Sequence, residues 1–167
     1  MNPLPVPDSR HLLAAQGWLE LGAPLEADAE LDCIAPELRS HPAVLLLRWQ
    51  VYARLRRWDG ALDIGTALTK LLPNNPASWV NRAFALHELH RTAEAQKQLL
   101  DVIDRFPTIA TMRYNLACYA CQLGDLKAAQ DWLAQAFAID DSDALKQEAL
   151  DDPDLDPLWT EEQRDHD

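Results

Sequence analysis

Cysteine is sparse in this chain. Cys33, Cys118 and Cys121 make an odd number, which speaks against a disulfide framework and points to a reducing compartment. Basic charge is short as well. Lys and Arg number 15 against 27 Asp and Glu, a net charge of −12. That balance opposes non-specific nucleic-acid binding, which needs cationic groups to displace counterions from phosphates. Long apolar runs are missing. Runs such as Ala43–Leu47 fall far short of the roughly 20 residues that a bilayer-spanning helix takes. The opening Met1-Asn2-Pro3-Leu4-Pro5-Val6-Pro7 has neither the basic start nor the apolar core of a secretory signal. There is no nucleophile elbow, phosphate loop or zinc-protease motif. These absences predict a soluble cytoplasmic protein with no membrane insertion, no catalytic residues and no cofactor.

What is present is a repeat. Alanine recurs at Ala27, Ala61, Ala95 and Ala129, and leucine at Leu21, Leu55, Leu89 and Leu123, both every 34 residues without insertion or deletion. A fixed period of this size is the signature of a stacked repeat protein. With 167 residues, 48% of them hydrophobic, the chain suits one domain with a sizeable core. Its acidity is concentrated at one end. Asp140–Asp167 holds twelve acidic and two basic residues. The first repeat carries −5, and the second carries +3 through Arg48, Arg54, Arg56, Arg57 and Lys70.

The period sets repeats at 8–41, 42–75, 76–109 and 110–143, between an extension at 1–7 and an acidic cap and tail at 144–167. Each repeat reads as two helices. In the last one, Leu116, Tyr119 and Leu123 fall on one helical face. Gly124-Asp125 breaks the helix, as glycine does at C-caps. A second pattern follows at Leu126, Ala129, Leu133, Ala136 and Phe137. The first repeat breaks at Gly22-Ala23, with Pro24 in a first helical turn, where proline is tolerated. The middle repeats break at Arg56-Arg57 and His90-Arg91, which is weaker turn chemistry. Leu72-Pro73-Asn74-Asn75-Pro76 and Arg105-Phe106-Pro107-Thr108 act as stops between repeats. The recurrent alanine is placed where the two helices of a hairpin approach most closely, since a larger side chain would force them apart in a close-packed interior. The recurrent leucine is expected to close the bottom of the same interface. Helices of about a dozen residues are marginal alone in water, so neighbouring hairpins must stack.

This pattern resembles the tetratricopeptide repeat family over residues 8–143. The last repeat carries the likeness best, with Tyr114-Asn115-Leu116-Ala117, Leu123-Gly124-Asp125, Ala129 and Ala136. The third adds Trp79, Ala83, Ala95, Leu99 and Pro107. The second keeps Tyr52, Ala61, Leu68 and Pro73, and the first Ala15, Gly22, Ala27 and Ile34. The resemblance implies an all-α, right-handed α-solenoid of four helix-turn-helix repeats with a C-terminal capping segment. Departures fall mainly in the second repeat. Trp49 stands at a small-residue position, Arg48 and Arg82 stand where leucine is usual, and Gly65 replaces a large apolar residue. Trp49 is expected to fill the space that Gly65 leaves.

In such a fold the first helices of successive repeats line a concave groove. The resemblance places Leu12, Leu13 and Gln16 there from the first repeat, and Leu46, Leu47, Gln50 and Arg54 from the second. The third contributes Val80, Asn81, Phe84, His87 and Glu88, and the fourth Tyr114, Asn115, Cys118, Cys121 and Gln122. Asn81 and Asn115 occupy the same position in adjacent repeats, where an amide can pair with a peptide bond as donor and acceptor. The family's carboxylate clamp for chaperone tails is not supported, because Leu46, Thr111 and Asn115 hold its basic positions. His87 with His90, and Cys118 with Cys121, are three apart, a spacing that can chelate a metal. No further ligand completes either pair, and helical cysteine is usually a buried apolar residue, so no metal is expected.

Trp18, Trp58, Trp79 and Trp132 sit at helix-packing positions. Trp159 lies outside the repeats, in Asp151-Asp152-Pro153-Asp154-Leu155-Asp156-Pro157-Leu158-Trp159, a phrase similar to one that follows the last repeat in bacterial members of the family. Its three large apolar side chains do not suit a disordered tail. A short ninth helix over 144–150 is expected to dock on the second helix of the fourth repeat. Leu155, Leu158 and Trp159 would extend that cap while the aspartates face water. The rival expectation puts Trp159 into a groove as a built-in ligand. The sequence thus predicts a non-catalytic interaction scaffold or adaptor that binds a protein or peptide ligand, as monomer or homodimer. The alternatives are a secretion-type chaperone and a metal-binding enzyme or enzyme subunit.

Overall fold

A computed structural model describes residues 3–159. All regular structure among them is helical. The helices are α1 (Val6–Glu20), α2 (Pro24–Asp32), α3 (Pro42–Arg54), α4 (Trp58–Leu71), α5 (Pro76–Glu88), α6 (Thr92–Leu100), α7 (Ala110–Gln122), α8 (Leu126–Ile139) and α9 (Asp143–Asp151). Short 3₁₀ turns cover Pro36–Leu38, Ile103–Arg105 and Pro153–Leu158. The chain forms two compact units that meet in sequence between Ala85 and Leu86.

The helix starts follow local chemistry. Pro24 and Pro42 open α2 and α3 in the first turn, where the missing N–H is not needed. Asp125 Oδ1 accepts from the Ala128 N–H at the start of α8, and Ser142 Oγ accepts from Leu145 N–H at the start of α9. Both are N-cap bonds that satisfy otherwise orphaned donors. The ninth helix stands where the sequence placed it.

The four hairpin turns share one geometry at the 34-residue period. The backbone N–H groups of Ala23, Arg57, Arg91 and Asp125 donate to the carbonyls of Trp18, Tyr52, Leu86 and Ala120, each at 2.9 Å. This is the six-to-one bond of a Schellman C-cap, which needs a left-handed residue just before its donor. That residue is Gly22 (φ 74°), Arg56 (φ 54°), His90 (φ 60°) or Gly124 (φ 84°). Glycine adopts this conformation freely, whereas for arginine and histidine it costs about 1–2 kcal/mol. His90→Gly is therefore expected to raise stability by about 1 kcal/mol, read as a higher urea midpoint. An unchanged or lower midpoint would mean that the His90 side chain contributes more than its backbone costs.

The alanine series is buried as expected, with Ala27, Ala61, Ala95 and Ala129 all at 0% exposure. The leucine series is not. Leu21 is 77% and Leu123 46% exposed. Leu21, Leu55 and Leu123 are the C-caps of α1, α3 and α7, so they recur because the turn recurs; of these three only Leu55 packs, half-buried, against a core.

In the first unit, α1 packs on α2, α3 on α4, and α3 also meets α1 and α2. Leu31, Ile34, Val44 and Val51 form the core of this region with Ala15 and Ala27. Asp8 is buried, and its Oδ1 accepts from the Ala35 N–H at 2.8 Å, tying the start of α1 to the end of its own hairpin. The opposite charges of the first two repeats meet directly. Arg48 Nη1 lies 2.8 Å from Asp32 and 3.4 Å from Asp28, and Arg57 Nη1 lies 2.6 Å from Asp28. Arg48 replaces the usual leucine because it pairs with acids on α2.

Gly65 corrects a second expectation. A Cβ built there would lie 2.9 Å from Arg82 Cα and 3.1 Å from Arg82 N. The backbone of α5, not Trp49, takes the space left by the missing side chain. Trp49 packs against Phe84 in a T-shaped arrangement, with ring centroids 6.4 Å apart, and Trp58 does the same at 5.6 Å.

Candidate functional site

In the second unit, α7 packs on α6 and α8, and its own face carries polar groups with no carboxylate among them. Tyr114, Cys118 and Gln122 succeed one another at four-residue spacing, so they share that face. The chain's C-terminal segment lies across it. Tyr114 OH donates to Asp152 Oδ2 at 2.8 Å, and Cys118 Sγ lies 3.6 Å from the same oxygen. Gln122 Nε2 donates to the Asp154 carbonyl at 2.9 Å. His87 Nε2 sits 2.8 Å from Asp154 Oδ2, and its Nδ1 sits 3.0 Å from Thr92 Oγ1. With a carboxylate accepting at Nε2, that nitrogen carries the proton. Leu155 between these anchors is fully buried.

The segment's conformation is set locally. Asp152 Oδ1 accepts from the Asp154 N–H at 2.9 Å, an N-cap for the 3₁₀ turn that begins at Pro153. One Asp152 oxygen therefore starts the turn while the other meets α7. Trp159 Nε1 donates to the Ala149 carbonyl at 3.0 Å, folding the chain back onto α9.

This arrangement differs from the expected cap. The segment after α9 packs chiefly on α7, a groove-position helix, and less on α8. Asp156 is exposed as expected, but Asp152 and Asp154 are half-buried, since they are the acceptors for the donors of α7 and His87. Trp159 closes against α9 and does not enter the groove. Residues 160–167, the rest of the acidic tail, lie outside the described residues.

The environment of the face is low in polarity. Burial pushes the Tyr114 hydroxyl well above its ordinary value, and the hydrogen bond to Asp152 adds to this. Burial, with the charges of Asp152 and Asp154, does the same to the Cys118 thiol. Burial raises Cys121 as well, with the same two carboxylates contributing. Both thiols are buried and protonated, so they are neither nucleophiles nor ready metal ligands.

The other sequence-predicted groove residues divide. In the first unit Leu12, Gln16, Leu46, Leu47 and Gln50 come together, with Leu19, Glu20 and Ala43, around an open cleft of 360 Å³ between α1 and α3. Leu13 is 70% exposed and does not line it. Arg54 is exposed farther along α3. Val80 and Asn81 are half-buried on α5, and Phe84 is engaged with the two tryptophans. Asn115 is half-buried on α7, and Glu88 is half-buried at the end of α5.

Two groups of possible metal ligands occur among the described residues. One is Cys118 with Asp152 and Asp154, and the other is His11 with Glu30 and Cys33. The second group escapes a search by ligand spacing because its members are far apart in the chain. Hairpin register, which places the second turn of α1 beside the last turn of α2, is the signal that would have found it.

No protein-family model matches the chain, and no curated protein matches its sequence. Solved structures do match. A thermophilic TPR protein of Thermus thermophilus superposes with a TM-score of 0.75 at 19% identity, covering 94% of this chain and 84% of that one. MamA MSR-1 gives 0.68 at 18% identity over 78% of this chain and 75% of that one. A further crystal structure of MamA gives 0.71 at 11% identity over 82% and 80%. No helix among the described residues is long and apolar enough to cross a membrane. The helical hairpins, their 34-residue register and these superpositions agree, and the fold of this chain is the all-α tetratricopeptide-repeat solenoid.

Proposed function

We propose that this chain is a non-catalytic interaction module that holds a polypeptide segment of a partner protein against its groove-position helices. One observation supports this reading above the others. Side chains at groove positions already hold a peptide segment, the chain's own residues 152–155, by the means that peptide recognition uses. Gln122 reads a backbone carbonyl, which any sequence offers. Tyr114 and His87 read carboxylates, and a leucine is buried between them. A buried leucine contributes about 1.5–3 kcal/mol, and each hydrogen bond about 0.5–1.5 kcal/mol net. A few such contacts give a reversible complex, in which aromatic and aliphatic anchors supply affinity and polar groups fix register.

The cleft between α1 and α3 offers similar elements without an occupant among the described residues. Leu12, Leu46 and Leu47 form an apolar floor, and the Gln16 and Gln50 amides stand at its edge. Asn81 and Asn115 are the proposed amide contacts elsewhere on the groove-position helices. Leu46→Glu places a charge on the apolar floor, and it is expected to abolish recovery of bound proteins in affinity purification. Because Leu46 is only half-buried, the thermal midpoint is expected to change little. If Leu46→Glu and the double variant Asn81→Ala with Asn115→Ala both recover the wild-type partners undiminished, the groove is not the site.

A further inference from the structure

We propose that His11, Glu30 and Cys33 form a binding site for a thiophilic divalent transition metal, zinc(II) foremost, on the α1–α2 hairpin. His11 projects from the second turn of α1, Glu30 from the last turn of α2, and Cys33 is the C-cap of α2. Glu30 and Cys33 are three residues apart and share a helical face. The antiparallel packing of α1 on α2 brings His11 beside them. His11 Nδ1 lies 2.7 Å from Glu30 Oε2, and the three donor atoms all lie within 4.8 Å of one another.

These distances suit a tetrahedral ion after small side-chain rotations. Zinc bonds nitrogen and oxygen at about 2.0–2.2 Å and sulfur at about 2.3 Å, which sets neighbouring ligand atoms about 3.5 Å apart. The histidine–carboxylate pair would open slightly, and the thiol would close in. Cys33 is exposed, so the ion has a path in and the thiol proton a path out. Imidazole binds through Nδ1 in the tautomer with its proton on Nε2, and the thiol releases one proton to solvent as the metal–sulfur bond forms. Electrons are not transferred.

The donor set selects the metal. Calcium and magnesium favour all-oxygen shells, whereas an imidazole, a thiolate and a carboxylate suit zinc and its neighbours. Three protein ligands leave a fourth position. Room for it exists in a cleft of 260 Å³ lined by Trp18, Glu26, Ala29, Glu30 and Cys33. Trp18, expected from the sequence to pack between helices, is 40% exposed at this cleft. The net charge of −5 over residues 8–41 favours a cation at this hairpin. Neither His87 nor the buried Cys118 and Cys121 takes part, so the site is independent of the groove.

Titration of the metal-free, reduced full-length protein with cobalt(II) tests this. A near-ultraviolet thiolate-to-cobalt charge-transfer band is expected to saturate at one equivalent, to be bleached by zinc(II), and to accompany quenching of Trp18 fluorescence. Cys33→Ser is expected to remove the band, and His11→Ala to weaken binding by about tenfold or more. Cys118→Ser is expected to leave the band intact. All three variants are checked for wild-type helicity by circular dichroism. Absence of a saturable band in the wild type overturns the proposal. So does a band that survives Cys33→Ser, or one that is lost only in Cys118→Ser.

Discussion

Gly65→Ala is expected to lower stability by about 1–3 kcal/mol, as overpacking of a close-packed contact does. The new Cβ would meet Arg82 Cα at 2.9 Å, and a backbone atom cannot rotate aside as a side-chain end can. The helices α4 and α5 must move apart, which also strains the bond from Arg82 Nε to Thr66 Oγ1 at 3.1 Å. Gly65→Leu is expected to cost more. Gly17→Ala is the control. It lies inside α1, where an added Cβ meets nothing within 4 Å. That change is expected to stabilise by about 0.5–1 kcal/mol, because alanine loses less backbone entropy in a helix. Urea midpoints for the two alanine variants should therefore shift in opposite directions. A shift in the same direction would mean that close approach at Arg82 does not control the α4–α5 contact.

Gly65 also marks a limit of legibility. The sequence exposed the vacancy at a position that usually holds a large side chain, and a bulky neighbour, Trp49, offered a filler. What occupies the space is backbone, and a one-dimensional pattern carries no signal for backbone approach. The hairpin turns were easier where glycine stood at the left-handed position, as at Gly22 and Gly124. Arg56 and His90 adopt the same conformation against their preference, and only the 34-residue register reveals it. The leucine series misled for a related reason. Periodicity shows that a position is structurally equivalent in every repeat but does not say whether it is buried. Alanine recurs because nothing larger fits. Leucine recurs at a helix end that is largely exposed in two of the four copies.

The site was legible in its parts and not in its assembly. His87, Tyr114, Cys118 and Gln122 were placed on one groove from repeat position, and Leu155 and Trp159 were recognised as too apolar for a free tail. Their meeting was missed because an aspartate-rich segment reads as solvent-facing. The counter-signal was the face of α7 itself. It offers a buried phenol and a buried thiol, with an amide one turn on and no carboxylate of its own, and buried donors require partners. Asp152 and Asp154 supply them.

Leu155→Ala is the sharpest test of that assembly. Leu155 is fully buried, and truncating a buried leucine costs about 2–5 kcal/mol. The hydrogen bonds around it are each smaller, so the leucine decides whether the segment stays docked. Its loss is expected to release residues 152–159 from α7 while α1–α8 remain folded. The first expected consequence is chemical. Cys118 is buried, and its thiol is held far above the usual range by burial and by Asp152 and Asp154. Undocking removes both carboxylates and opens the thiol to water, so its reaction with a disulfide reagent is expected to accelerate by at least about tenfold, one unit of thiol pKa being tenfold in thiolate. Cys118→Ser in the same background identifies the reacting thiol. The second consequence concerns binding. If the α7 face is part of the polypeptide site, an undocked tail no longer competes at the high effective concentration of a tethered ligand, and partner affinity rises. If the tail is only a cap, Leu155→Ala lowers the thermal midpoint and leaves affinity unchanged. Unaltered thiol reactivity together with an unaltered midpoint would contradict the docking itself, because a fully buried leucine cannot be lost without effect on either.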